Sequence, residues 1–540
     1  MNISHLIRQI EKTPQTILSF ILAFTTIIIL RLLVEAAMGS FAISNFETLF
    51  FEFSHTYLFF LFAFSLFLPL LAFFTKEHTL ATTNILLFGF FIILAPPIID
   101  TFLFGQNGYW SFYIFDSFTG LIHRYMTFFG DSPSIGITSG VRIEVFIMTC
   151  LSIFLIRLKT LSIIRALVGG VAVYSLFFLL GTFPSWLTFA LEPTTFLKAT
   201  GSSVAALFLT PENILSRDVS SLRSVLNMKM SLWYAFLNLI SFATLFYVKN
   251  RTHWLALYRN ARFPQVFYRG GLVALGGLLA FYFEDLALPH SHFSYLAFLL
   301  LTISAVFAWL TSVVVNDCYD TAIDQKTNPN RPLITEAISQ TDYQAYAILF
   351  FCASLLLAGV VSAQALLLIF GYQALAWVYS ATPFRLKRFP LIATLTASFA
   401  SFLILATGYL AVSELQSLKA FPLPLLLFLI VSFTIALPLK DFKDIAGDKH
   451  DGVYTLPVIL GELWAKRVLG LLIFLLFILS PFILNASSLY VPALLFGSTA
   501  FWIIQSGTAK PAAFFHYTRF SLFFFLLVFC YGLFIVLHLS

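Results

Sequence analysis

Long apolar stretches alternate with short polar, mostly basic segments from one end of the chain to the other. A helix needs about 20 apolar residues to cross the hydrocarbon of a bilayer. Read at that length, the first half predicts six spans, near 15–38, 55–75, 80–99, 142–157, 161–182 and 231–248. The second half predicts nine, near 270–288, 293–316, 343–362, 364–382, 390–412, 421–439, 456–484, 489–506 and 517–538. A basic linker carrying Lys249, Arg251, Arg259, Arg262 and Arg269 separates the two sets. The expected fold is therefore all-α and integral to the membrane. It is a polytopic helical bundle in which a nine-helix module, residues 251–540, follows about six further transmembrane helices in residues 1–250. No internal repeat is visible.

Composition narrows the function classes. With 59% hydrophobic residues and only 10% charged, the chain lies outside the range of soluble domains. The net charge of +6 resides in short segments between apolar runs, as the positive-inside rule places it, and not on a surface for nucleic acid. With the N-terminus in the cytoplasm, the basic loops near 326–331, 385–388, 440–449 and 510–519 all fall on the cytoplasmic side. The 183–229 segment falls outside despite Lys198, Arg217, Arg223 and Lys229. Cys150, Cys318, Cys352 and Cys530 are widely separated and fit neither a disulfide framework nor a zinc site. Residues 1–13 precede an apolar run that no small-residue cleavage site follows, so an uncleaved first helix is expected. The lack of an organelle-type targeting segment favours a prokaryotic cytoplasmic membrane.

Against this background two acidic clusters stand out at the ends of apolar stretches. The first contains Asn316, Asp317, Asp320 and Asp324, the second Asp441, Asp444 and Asp448. Carboxylates next to hydrocarbon are expensive and mark functional sites. On a continuous helix the first group spans roughly 100° of arc and the second roughly 60°, so each offers one oxygen-rich face. Such faces suit Mg²⁺, which completes its shell with water and substrate phosphate. Arg331, Arg385, Lys387, Arg388, Lys440 and Lys443 lie on the same membrane face and offset the repulsion between carboxylates and a diphosphate. Between apolar helices, this combination suits a reaction in which pyrophosphate leaves an isoprenoid tail in a water-poor cavity.

The stretch NDCYDTAIDQKTNPNRPLITEAIS resembles the first signature of the UbiA superfamily of intramembrane prenyltransferases, and KDFKDIAGDKHDGVYTLPVILG resembles its second. YSATPFRLKRFP, between them, is similar to the family's loop after its fourth helix. The resemblance covers about residues 255–540. It implies that Asn316, Asp317, Asp320 and Asp324 bind one Mg²⁺ and the diphosphate, and that Asp441, Asp444 and Asp448 bind a second. It further implies that Tyr379, Lys387 and Arg388 lie near the diphosphate or the reacting carbon, with Arg331 and Lys443 as further phosphate contacts. Asp320, Asp444, Lys387 and Tyr379 are the expected catalytic set. The expected partners are a polyprenyl diphosphate donor, a lipophilic acceptor and membrane lipid, in lipid biosynthesis at the cytoplasmic face. Ile334-Thr335-Glu336 departs from the Pro-Ser-Gly of many relatives. The Asn-Arg-Pro and Arg-Leu-Lys-Arg pattern is closer to branches that alkylate archaeal-type glycerol ether lipids or chlorophyllide than to the homogentisate branch. A glycerophosphate lipid, an aromatic or quinone precursor and another polycycle remain as acceptors.

Two other classes stay open on the residues alone: an ion-coupled membrane carrier and a catalytically silent membrane scaffold. The role of the N-terminal module is undefined. Its Ser139-Gly140-Val141-Arg142 resembles exosortase-type membrane peptidases, but Thr138 stands where their nucleophilic cysteine is expected, so that activity is not assigned. Arg142 and Glu144 are read as a pair anchoring a helix end, the stretch from Pro211 to Lys229 as an interfacial helix, and Tyr109, Trp110, Phe112 and Tyr113 as an interfacial aromatic belt.

Overall fold

The computed structural model describes residues 3–39, 46–105, 113–130, 137–193, 197–215, 217–218, 221–286, 291–443, 445, 449, 454–506, 523–524 and 526–535. The described residues are mainly helical, and the chain divides into two compact units, Met1–Ile214 with Asp218–Val248, and Leu215–Arg217 with Lys249–Ser540. Thirteen described helices are long and apolar enough to cross a membrane. The chain is a multi-pass membrane protein.

The first unit contains α1 (Ile3–Glu11), α2 (Ile17–Ala37), α3 (Phe46–Thr75), α4 (Thr79–Gly89), α5 (Ala95–Phe104), α6 (Phe118–Met126), α7 (Ser139–Thr160), α8 (Ile163–Gly181), α9 (Phe183–Leu191), α10 (Gly201–Leu209) and α11 (Leu222–Lys249). Thr138 caps α7, accepting from the Val141 amide and donating to Asp100, whose other oxygen accepts from the Gly140 amide at 2.6 Å. The hydroxyl where a nucleophile was considered is thus engaged in holding a helix end. Arg142 donates to the carbonyls of Gly130 and Phe129, while Glu144 lines an apolar pocket with Phe64, Phe90 and Met148. Tyr113 is fully buried, its hydroxyl 2.6 Å from His55 Nε2, and does not join an exposed belt; Tyr109, Trp110 and Phe112 lie outside the described residues.

Two of the basic residues that fitted the charge rule poorly, Arg223 and Lys229, are paired within their own unit. α11 begins nine residues before the predicted span, after short extended segments at Asn213–Ile214 and Arg217–Asp218 that stand where an interfacial helix was expected. Its first turns carry Arg223, which ion-pairs with buried Glu52, and fully buried Lys229, which lies 3.3 Å from Glu212 and donates to the Leu207 and Thr210 carbonyls. A neutralised cation carries little topological weight, because its charge is already matched inside the protein.

The second unit starts with α12 (Arg251–Asn260), α13 (Phe263–Glu284), α14 (His292–Tyr319), α15 (Thr321–Thr327), α16 (Gln340–Val361), α17 (Ala363–Ser380), α18 (Pro390–Val412) and α19 (Leu423–Ala436). Helices over Leu456–Leu460, Glu462–Ile483, Tyr490–Ser506 and Leu526–Ile535 follow. Gly461, at φ +74°, divides the single span predicted over 456–484, because that backbone conformation suits glycine and ends a helix. α13 begins at Phe263-Pro264, seven residues before the predicted start, which moves Arg269 out of the linker and into the helix.

α14 packs on α16, and α13 and α17 pack on α18. Lipid gives no hydrophobic drive for helices to associate, so close packing and interhelical hydrogen bonds hold such bundles together. Ser354 supplies both: its carbonyl accepts from Ser304 Oγ at 2.7 Å and its hydroxyl accepts from Gln373 Nε2 at 3.0 Å. Where α13 crosses α18, a Cβ on Gly276 would collide with the Leu405 carbonyl, and one on Gly408 with the Val273 carbonyl. The two glycines let the backbones touch. Gly408→Val is expected to cost roughly 1–3 kcal/mol or more through overpacking, read as a lowered melting temperature in detergent; an unchanged melting temperature contradicts this crossing.

Candidate active site

α13 and α14 form an antiparallel hairpin, which brings the start of α13 to the level of the end of α14. Arg262, at the N-cap of α13, donates to Asp317 Oδ1 at 2.7 Å. Asn260 Nδ2 and the Tyr343 hydroxyl donate to Asp317 Oδ2 at 2.7 and 2.9 Å, and Arg331 Nη1 lies 3.3 Å from Oδ1. Asp317 is 1% exposed, and four donors surround its carboxylate. A carboxylate so buried must be paired.

Asp320 lies one turn further on. α14 ends at Tyr319, Asp320 takes a non-helical conformation, and α15 starts at Thr321. The first cluster is therefore broken at Asp320 and does not present the continuous helical face expected for it. The break directs Asp320 to a second set of cations. Arg385 Nη2 is 2.9 Å from its Oδ1, Lys387 ion-pairs with its Oδ2, and Asn316 Nδ2 donates to the same Oδ2 at 2.8 Å. Arg262 and Arg385 both adopt left-handed backbone conformations, with φ of 56° and 43°. Such conformations cost roughly 1–3 kcal/mol and persist where surrounding contacts over-determine them. Here the contacts are the carboxylates of Asp317 and Asp320.

Asp324, on α15, accepts from Asn328 Nδ2 at 2.9 Å and lies 3.9 Å from Arg331 Nε. Burial pushes its carboxyl up to about 6, against the opposing pull of Arg331. Burial likewise draws the Lys387 ammonium down from its usual value, opposed by Asp320. Arg331 also donates to Asn260 Oδ1 at 2.8 Å, so its fork spans Asn260, Asp317 and Asp324. Arg388 is exposed at the end of the short turn Leu386–Arg388.

The end of α17 meets Asn316 of the first cluster and Lys440, the residue before Asp441. Asn316 Nδ2 lies 3.4 Å from buried Ser380 Oγ, and Lys440 Nζ lies 3.5 Å from the hydroxyl of the adjacent Tyr379. Lys440 belongs to the 3₁₀ segment Leu437–Lys443, which also carries Asp441. Leu439 and Phe442 are buried with Leu469, Ile473 and Phe477 and anchor this segment. Asp444, Asp448 and the Lys443 side chain lie outside the described residues. Among the described residues, no three of His, Cys, Asp and Glu converge closely enough to hold a metal ion. The available donors, Asn316, Asp317, Asp320, Asp324 and Asp441, offer amide and carboxylate oxygens, which is the chemistry of a hard divalent cation.

Asn260, Arg262 and Tyr343 were not selected from the sequence. Pro264 carried the missing signal for Arg262: proline in the first turn marks a helix start, and a start there puts Arg262 at the level of Asp317.

Fold and site define a polytopic helical membrane protein whose second unit gathers carboxylates and matching cations at one end of the bundle. Residues 277–528 match the UbiA prenyltransferase family, and the second unit belongs to that family. The chain is 33% identical over 159 residues to the digeranylgeranylglyceryl phosphate synthase of Pyrococcus abyssi, covering 28% of this chain and 53% of that one. It is 32% identical over 166 residues to the synthase of the same name from Sulfolobus acidocaldarius, covering 30% and 58%. The chain thus spans about half the length of the curated relatives it matches. A solved UbiA homolog from Archaeoglobus fulgidus bound to DMAPP and Mg²⁺ is 22% identical, covering 50% of this chain and 98% of that one, with a TM-score of 0.37.

Removing Asp317 would leave two arginines and two neutral donors facing one another without their acceptor. Asp317→Ala is expected to cost roughly 3–5 kcal/mol, measured as a loss of thermal stability of the purified protein; a melting temperature equal to wild type would show that the network does not hold the helices.

Proposed function

We propose that the chain is a Mg²⁺-dependent intramembrane prenyltransferase that moves an isoprenyl group from a polyprenyl diphosphate to a lipophilic acceptor and releases pyrophosphate. The observation that carries this reading is Asp320, a carboxylate from the first acidic cluster held between Arg385 and Lys387. A diphosphate arriving with a metal at that carboxylate meets both cations. Asn316, Asp317, Asp320, Asp324 and Asp441, with Asp444 and Asp448, are the proposed metal-holding residues. When bound, Mg²⁺ supplies positive charge that neutralises the diphosphate.

The remaining work falls to the chain. Lys387 and Arg385 bind the diphosphate oxygens, with Arg331, Arg388 and Lys443 as further contacts. The bond from the prenyl C1 to the diphosphate oxygen breaks and its electron pair leaves with pyrophosphate. The acceptor nucleophile bonds C1, and its proton leaves with the pyrophosphate. Tyr379, half-buried with Lys440 Nζ 5.5 Å from its ring centroid, is the proposed aromatic contact near the reacting carbon. Packed helices exclude the water that would otherwise intercept that cation.

The names of the curated relatives favour an isoprenyl glyceryl phosphate as acceptor over an aromatic or quinone precursor. We assign the site to the cytoplasmic face of a prokaryotic cell membrane, in keeping with the basic loops around it. No observation on the described residues favours the carrier or the scaffold.

Purified protein in lipid nanodiscs, given geranylgeranyl diphosphate and an isoprenyl glyceryl phosphate, is expected to release pyrophosphate and form an ether-linked product detected by mass spectrometry. EDTA should abolish both signals. Asp320→Asn keeps the side-chain volume and a hydrogen-bonding oxygen, and should reduce turnover at least about 100-fold, the scale for loss of a transition-state electrostatic contact. Full turnover in Asp320→Asn, or no pyrophosphate from wild type with any prenyl diphosphate, rejects the reading. Lys387→Met should raise the KM for the diphosphate donor and leave the KM for the acceptor unchanged. A donor KM equal to wild type would remove Lys387 from the diphosphate site.

A further inference from the structure

Seven residues beyond Arg262, α13 carries a second arginine, which lies about 10 Å deeper along the helix at 1.5 Å per residue. Arg269 is 6% exposed. Three aromatic rings box its guanidinium: Cζ lies 5.1 Å from the ring centroid of Tyr268, 5.4 Å from Trp309 and 5.2 Å from Tyr372. Nη1 donates to Ser401 Oγ at 3.0 Å, and Nε is buried without a partner. Among the described residues no carboxylate pairs with it. Aromatic faces offset part of the cost of burying a cation but leave its charge unmatched. Ionisable groups held at membrane depth mark ligand sites.

The register of three helices places this box beneath the candidate active site. Arg269 follows Arg262 by seven residues on α13, Trp309 precedes Asn316 by seven on α14, and Tyr372 precedes Tyr379 by seven on α17. Seven residues are close to two full helical turns, so Trp309 and Tyr372 share faces with Asn316 and Tyr379, and all three box residues lie deeper in the bundle than their site counterparts. Tyr372 and Ser312, one turn from Asn316, are 3.5 Å apart at their hydroxyls.

We infer that Arg269 receives the anionic headgroup of the acceptor, a phosphate or carboxylate on an amphiphile, with Tyr268, Trp309 and Tyr372 walling it from lipid. This inference rests on the transferase reading above. The donor's own negative charge is matched at the level of Asp320 by Arg385 and Lys387, and its tail is uncharged. An anion meeting a cation two turns deeper therefore belongs to the second substrate.

The test is a binding measurement on the full chain in nanodiscs without Mg²⁺ or donor, using geranylgeranylglyceryl phosphate, a geranylgeranyl carboxylate and uncharged geranylgeranylglycerol. At least one anionic amphiphile is expected to bind about tenfold or more tightly than the uncharged one, and the arm that does so distinguishes phosphate from carboxylate. Arg269→Met should erase the preference, and Arg269→Lys should retain part of it. In turnover, Arg269→Met should raise the acceptor KM and leave the donor KM unchanged. Equal affinity for all three amphiphiles in wild type overturns the inference. So does a preference that survives in Arg269→Met with a lowered melting temperature, which would make the residue a cross-tie between helices. If Arg269→Met does not fold, Arg269→Lys decides alone, since an unchanged preference after loss of the guanidinium fork overturns the assignment. Anion-selective binding through Arg269 without pyrophosphate release would reject the transferase and leave this site standing; release with no anion selectivity would do the reverse.

Discussion

A carboxylate set beside hydrocarbon must find cations or hydrogen-bond donors, and the second unit is organised around meeting that requirement at Asp317. Its four donors come from the end of α12, the N-cap of α13, the loop before α16 and α16 itself. One buried charge thereby fixes where helices distant in sequence begin and end. Stability of this kind arises from avoiding an unpaired charge more than from the strength of any one contact. Asp320 and Asp324 sit in the same frame and inherit its geometry.

The two carboxylates differ in the source of their partners. Asp317 is bonded from Asn260 and Arg262 at helix ends, from Tyr343 on α16 and from Arg331 in the loop before it. Asp320 is bonded from the loop holding Arg385 and Lys387, together with Asn316 on α14. The first unit obeys the same rule with its own pairs, Glu52 with Arg223 and Lys229 with Glu212. Arg269 is the contrast: a buried cation met by aromatic faces and a hydroxyl.

The sequence by itself determined the membrane setting, most of the spans and the position of both acidic clusters, because hydropathy and local spacing depend only on neighbouring residues. It also carried the family signature, since NDCYD and KDFKD are contiguous strings. Tertiary structure alone decided which cations belong to which carboxylate. Arg262 read as a linker charge and Arg269 as its end, because a charge-counting rule stops a span at arginine, whereas pairing with Asp317 caps the helix at Arg262 and aromatic packing carries Arg269 inside it. The break at Asp320 was equally hidden, since helical spacing assumes a continuous helix while the pull of Arg385 and Lys387 acts across dozens of residues. Lys229 stood against the charge rule for the same reason: its counter-charge, Glu212, is visible in the chain but is brought to it only by the fold.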